Sequence, residues 1–173
     1  MKVFLIAAIS IDGFISPEAL TNSGKWTSDG DKKFFGERTK QAKVMVMGST
    51  TFSTIGRPMP GRRTIVMSSK PKPAEYSQFD DSQVMYTSKS PAEIVEQLAA
   101  EGYEELALCG GSNVYTQFMK AQLVQTVYLT VEPIMFGSGV PLFKGSLSQL
   151  RLTLIEQKKI DTDTLLLTYS VAQ

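Results

Sequence analysis

Apolar residues from Val3 to Ile9 form a nearly continuous run, the pattern of a strand covered on both faces. A long segment follows, Asp12 to Thr27, rich in Gly, Ser, Asn and Pro, and is expected to be a functional loop. From Ser28 the spacing turns helical, with Phe34, Phe35, Arg38 and Ala42 on or near one face. "VMVMG" (Val44 to Gly48) predicts a short buried strand, and "STTFSTIG" a short helix ending at Gly56. After a Pro- and Arg-rich loop, "TIVMSS" reads as a strand, and "KPKPAEYSQFDDS" connects it to a weak strand, "QVMYT". "SPAEIVEQLAAEG" is a well-signalled helix: Ser90 caps it, Pro91 opens it, Glu93 completes a capping box and Gly102 stops it. "ELALCGG" predicts a strand running into glycines, "SNVYTQFMKAQL" a helix and "QTVYLTVEP" a strand. The tail, "LRLTLIEQKKI" with "TDTLLLTYSVA", predicts an antiparallel hairpin. Alternating strands and helices that give way to strands predict a single α/β domain over residues 1–173, with a mostly parallel sheet and an antiparallel edge.

Composition narrows the chemistry. Lys+Arg number 18 and Asp+Glu 17, a formal net charge of +1, so bulk charge argues for neither nucleic acid nor an anionic membrane. No apolar stretch reaches the roughly 18 residues needed to span a bilayer, and the start "MKVFLIAAIS" lacks a convincing cleavage site, so the expected location is cytoplasmic. One cysteine, Cys109, excludes an internal disulfide. Histidine is absent, which removes Ser-His-Asp and Cys-His catalysis and makes a metal site an unattractive reading.

In an open α/β sheet, ligands bind beyond the carboxyl ends of the strands. Those ends carry Gly48-Ser49-Thr50-Thr51, Met67-Ser68-Ser69-Lys70 and Gly110-Gly111-Ser112. The turns at Gly48 and Gly110 open helices, whose free N–H groups and positive dipole ends suit phosphate. Each turn alone is commonly just a cap; together they suggest a nucleotide cofactor. Neither the P-loop pattern nor GxGxxG is present.

Asp29 and Asp31 lie at a helix start just after the only tryptophan, Trp26. Ser28-x-x-Asp31 has capping-box spacing, and by spacing alone capping is the commoner role. The functional alternative is an acid in a cleft walled by Trp26 and Phe35, its pKa raised to suit protonation of a heterocycle. Tyr115, Tyr128 and Met67 read by default as core residues. "TIGRPMPGRR" packs Arg57, Arg62 and Arg63 among prolines and glycines, which suits cations held at fixed positions for a carboxylate or phosphate.

"FLIAAISIDGFI", "VMVMGSTTFSTIGRPMPGRRTIVMSS", "LALCGGSNVYTQF" and "VYLT", in that order, resemble dihydrofolate reductases over most of Val3 to Thr130. The resemblance implies a dihydrofolate-reductase-like fold: a central, mostly parallel eight-stranded sheet with an antiparallel C-terminal hairpin and helices on both faces. It implies NADPH as cofactor and dihydrofolate as substrate. Asp31, five residues after Trp26, would bind the pterin and favour protonation at N5 while hydride reaches C6, with Thr130 bonded to Asp31 or the pterin. Phe35 and Ile55 would line the substrate pocket, and Arg62 would grip the α-carboxylate of the glutamate tail. Ile6, Ala8, Cys109 and Tyr115 would surround pterin and nicotinamide. Gly48, Ser49, Thr50, Thr51, Met67, Ser68, Ser69 and Lys70 would hold the remainder of NADPH. Gly110, Gly111, Ser112, Asn113 and Val114 would join them, with Gly110-Gly111 a cis peptide.

The chain departs from that pattern at four places. Ser49 stands where an arginine often holds the 2′-phosphate, which leaves NADPH over NADH to Lys70 or a nearby arginine. Lys32 replaces a common apolar residue, and Gly30 is unusual at a helix start. "EPIMFGSGVPLF" (Glu132 to Phe143) resembles the reductase domain of riboflavin biosynthesis, whose relatives often pair, so monomer and homodimer both stay open. A riboflavin-pathway reductase acting on a ribosylaminopyrimidine phosphate is therefore the second reading, and a ligand-binding homologue without turnover the third.

Overall fold

The computed structural model describes residues 1–172. In chain order the strands are β1 (Lys2–Ser10), β2 (Phe14–Ser16), β3 (Val44–Gly48), β4 (Arg63–Met67), β5 (Val84–Thr87), β6 (Glu105–Leu108), β7 (Thr126–Glu132), β8 (Val140–Pro141), β9 (Leu152–Lys159) and β10 (Leu165–Val171). The α-helices are α1 (Asp29–Ala42), α2 (Ser49–Ile55), α3 (Pro91–Ala100) and α4 (Ser112–Lys120).

Eight strands form one sheet in the order β5-β4-β3-β6-β1-β7-β10-β9. Pairing is parallel from β5 through β7, and β10 and β9 close it antiparallel. The fold is dihydrofolate-reductase-like, as the resemblance implies.

Side chains alternate across each strand, so a strand covered on both faces must be apolar throughout. In β1, Val3, Leu5 and Ala7 pack into a cluster with Ile94 and Leu98 of α3 and Val114 and Phe118 of α4. Phe4 and Ile6 pack into a second cluster with Ala42 of α1 and Phe52 of α2. Helices therefore cover both faces. The Arg38 guanidinium lies 3.8 Å above the Phe4 ring and bonds both carboxylate oxygens of Glu105 at 2.8 and 2.9 Å. That stacked and forked contact sets where α1 rests on β1 and β6.

The expected elements recur with shifted ends. β4 begins at Arg63 and stops before the serines, and α4 stops at Lys120. α3 carries the full Ser90–Glu93 capping box, and Gly102 follows its end at φ +89°. The segment Asp12 to Thr27 is not the structureless loop expected from its composition. It holds β2, which pairs with β8, and a 3-10 turn at Ser23–Lys25 capped by Asn22. Strands of three and two residues are too short for any period to show. The edge strand β9 is exposed along its whole length.

Candidate active site

The site is built from the start of α1. Ser28 is its N-cap, and the Ser28 hydroxyl oxygen accepts the Asp31 backbone N–H at 3.2 Å. A complete capping box would return the Asp31 carboxylate to the Ser28 N–H. It does not do so. The Ser28 N–H and hydroxyl both donate to Oε1 of Glu132, each at 2.9 Å, and Thr164 donates to Oε2 at 2.9 Å. Glu132, at the end of β7, is 2% exposed.

The Asp31 carboxyl, relieved of that duty, lies buried beneath α1. Burial pushes its pKa up. The Thr130 and Thr27 hydroxyls pull it down, the Glu132 charge reinforces the rise and Lys32 opposes it. Asp31 and Thr130 thus stand together, while capping alone does not describe Asp31. Thr130 pairs in register with Ala8 of β1 and Leu166 of β10, so the hydroxyl sits in the middle of the sheet. Trp26 lies edge-on to Phe136 at 5.1 Å, and its buried indole N–H has no partner among the described residues.

Gly30 has a structural reason. A Cβ there would lie 2.3 Å from the Ile160 carbonyl oxygen, and the Gly30 N–H donates to the Asp161 carboxylate at 3.0 Å. The turn between β9 and β10 rests directly on the start of α1.

The three arginines of the loop have separate environments. Arg57 is exposed. Arg63 enters β4 and bonds Glu101 and the Asp81 carbonyl, remote from the glycine turns. Arg62 lies against α1: its Nη1 donates to the Thr39 hydroxyl at 2.7 Å and the Gly36 carbonyl at 3.3 Å, and its Nε to the Pro60 carbonyl at 3.2 Å. Thr39 and Asp31 lie on one flank of α1 about two turns apart. Phe35 and Ile55 are half-buried against the cluster that contains Phe52.

β3 and β6 are neighbours, so their two glycine turns meet. Gly48 donates to the Gly110 carbonyl at 2.8 Å, and the Gly110-Gly111 peptide is cis. No side chain caps α2 or α4, which leaves first-turn N–H groups facing the crevice. A Cβ on Gly111 would crowd the Thr51 hydroxyl at 3.3 Å, and one on Gly110 the Tyr115 phenol at 3.3 Å. A side chain would fill this cradle, so it fits close approach by a diphosphate. Tyr115 is buried and donates to the Ile6 carbonyl at 2.8 Å; burial pushes its pKa up. Cys109 is half-buried, and burial pushes its thiol up as well.

The expected ligand set divides. Ala8 is half-buried, Ser49, Thr50 and Asn113 are exposed, and Ser68 is half-buried beside exposed Ser69 and Lys70. Ser68, Ser69 and Lys70 line a shallow cavity of about 390 Å³ with Lys72 and Tyr86 at the ends of β4 and β5. Ile6 and Val114 are buried in the two core clusters, Met67 packs against one of them, and the Ser112 hydroxyl donates to the Pro141 carbonyl.

Residues 1–166 match the RibD C-terminal domain family. The chain belongs to that family. It is 32% identical over 117 residues to dihydrofolate reductase type A13 of Escherichia coli, which covers 66% of this chain and 62% of that protein. Among solved structures, a candidate riboflavin biosynthesis protein from Shewanella sp. PV-4 superposes with a TM-score of 0.81 at 23% identity, covering all of both chains. Dihydrofolate reductase from Enterococcus faecalis, complexed with NADP(H) and RAB-propyl, superposes at 0.73 with 26% identity, over 99% of this chain and 97% of that one.

In this RibD-type domain the segment after β7 closes over the first loop. Asp12 accepts from Ser10 Oγ at 2.6 Å and from the backbone N–H groups of Phe136 at 3.2 Å and Gly137 at 2.7 Å. A Cβ on Gly139 would lie 2.3 Å from the Ser16 carbonyl oxygen, so glycine permits the β2–β8 contact. Ile15 of β2 then reaches to 4.0 Å from the Cβ position of Gly111. Glu132 and Asp12 escaped the sequence reading. Ser28, which Glu132 holds, and Phe136 and Gly137, which Asp12 holds, lie more than a hundred residues away in the chain, and an isolated acid carries no local signal.

Proposed function

We propose that this member of the RibD C-terminal domain family is an NADPH-dependent reductase of 7,8-dihydrofolate. The observation that carries the reading is the buried Asp31 carboxyl, freed from helix capping, with the Arg62 guanidinium fixed on Thr39 about two turns along the same helix. Once its proton has gone toward the ring, the carboxylate accepts the two adjacent N–H donors on the 2-amino side of a pterin in bidentate fashion. Apolar burial keeps that group in proton exchange nearer neutral pH than a surface aspartate would be. Arg62, held through Nε and Nη1, suits a carboxylate at the far end of a long substrate.

Gly48, Thr51, Gly110 and Gly111 would hold the cofactor's diphosphate, and Ser69 and Lys70 would hold its 2′-phosphate. When bound there, NADPH supplies the hydride that reduces C6 of the pterin. The protein's own part is to orient the ring with Asp31 and Thr130, to favour a proton at N5, and to exclude water with Trp26, Phe35 and Ile55. The product is tetrahydrofolate, reduced by one hydride and one proton.

NADPH oxidation by the purified protein, followed with and without dihydrofolate, tests the reading. Dihydrofolate-dependent oxidation is expected; its absence would sink the proposal. The match to the RibD C-terminal domain family and the segment Glu132 to Phe143 favour a second substrate, a ribosylaminopyrimidine phosphate of the riboflavin pathway. Arg62 would then face a phosphate, and the same assay run with that substrate separates the two.

Two variants probe the binding ends. Arg62→Ala is expected to raise KM for dihydrofolate about 10- to 100-fold, because a charge-assisted hydrogen bond is worth roughly 1.5–3 kcal/mol. The KM for NADPH should stay within twofold, as steady-state kinetics with each substrate varied would show. Lys70→Ala is expected to raise KM for NADPH about tenfold and to leave NADH unaffected, since only the former carries the extra phosphate.

A further inference from the structure

We infer that Glu132 is a positioning residue: by taking the Ser28 N–H and hydroxyl at the start of α1, it keeps the Asp31 carboxyl beside the Thr27 and Thr130 hydroxyls. The inference rests on the proposed role of Asp31.

Ser28 and Asp31 have the spacing of a reciprocal cap, and half of that cap is made. The other half is occupied by Glu132, from a strand 104 residues away. Glu132 is in turn held by Thr164, just before β10, so one buried carboxylate ties α1, β7 and the hairpin together. Removing it leaves the Ser28 N–H without an acceptor, and the nearest acid built to accept it is Asp31. The capping bond and the position beside Thr27 and Thr130 compete for the same carboxylate.

The charged and titratable groups that face Asp31 are Glu132 from β7, Lys32 from its own helix and the Tyr115 phenol from α4; Asp161 bonds the adjacent Gly30. Glu132 is the one whose negative charge favours the protonated form of Asp31.

The test is NMR of the whole protein, with the side-chain carboxyls of aspartate labelled with ¹³C and the Asp31 resonance assigned by its loss in Asp31→Asn. In Glu132→Ala, the Asp31 midpoint is expected to fall, and the Ser28 amide proton to shift with the Asp31 titration. In the wild type that amide should be indifferent to Asp31→Asn. Turnover of dihydrofolate by Glu132→Ala should drop at least tenfold. Glu132→Gln keeps an acceptor oxygen and removes the charge, so the cap should persist while the alkaline limb of kcat moves to lower pH. A Ser28 amide that ignores Asp31 in Glu132→Ala overturns the inference. If that variant does not fold, a Ser28 amide that titrates with Asp31 in the wild type overturns it instead. The carboxyl titration needs no substrate: a wild type without dihydrofolate turnover defeats the proposed function, and the Ser28 amide still decides the role of Glu132.

Discussion

Asp31→Asn is expected to cut turnover of dihydrofolate by about 10²- to 10⁴-fold, the usual contribution of a positioned acid or base. The variant should fold and bind NADPH. Its helix cap uses the Ser28 hydroxyl and the Glu132 carboxylate, neither of which it alters. In the wild type, turnover should fall as pH rises through the raised pKa of Asp31, because the protonated fraction is lost. That limb should be missing from the residual rate of the variant.

The same substitution should stabilise the protein near neutral pH. Burial raises the folded-state pKa of Asp31 above its unfolded value, so ionisation favours the unfolded chain. Below the unfolded pKa the group is neutral in both states and the two proteins should melt alike. As pH rises through the unfolded value the wild type loses stability relative to the variant. The gap should level off above the folded value. Thermal melts at acid and at neutral pH measure it, and an inactive variant with no gain at neutral pH would show that the buried charge carries no penalty.

Gly30→Ala should destabilise the protein by about 1–3 kcal/mol, the range for overpacking a close contact. The added methyl would lie 2.3 Å from a backbone carbonyl, and a carbonyl within a hairpin turn cannot swing aside as a side chain can. Either the turn lifts or α1 shifts, and the Asp161 bond to the Gly30 N–H is lost. Chemical denaturation should show the drop. Turnover should fall with it, since Asp31 is one residue further along. Gly36→Ala is the control: its Cβ position is open, so the small cost of a mid-helix glycine is relieved and stability should rise slightly.

The sequence alone determined the alternating elements, the parallel sheet with its antiparallel edge, the helix start at Ser28 and the two glycine turns. These follow from short-range physics. Side-chain period, caps and glycine turns act over a few residues, and their signals sit together in the chain. The resemblance to dihydrofolate reductases added the cis peptide at Gly110-Gly111. The tertiary structure decided the rest. Arg62 and Arg63 are neighbours of the same type, yet one rests on α1 and the other closes an ion pair with Glu101, because β4 begins between them and turns them to different surroundings. Gly30 is unusual in a helix start by sequence, and the hairpin turn resting on it is what requires it. β2 and β8 were too short to announce themselves, and only their pairing makes them strands. Above all, Ser28-x-x-Asp31 is written in the chain as a cap, and local spacing cannot tell which acid completes it. Burial of Glu132 at the end of β7 settles that competition, since a buried carboxylate must find donors and the nearest are those of Ser28 and Thr164.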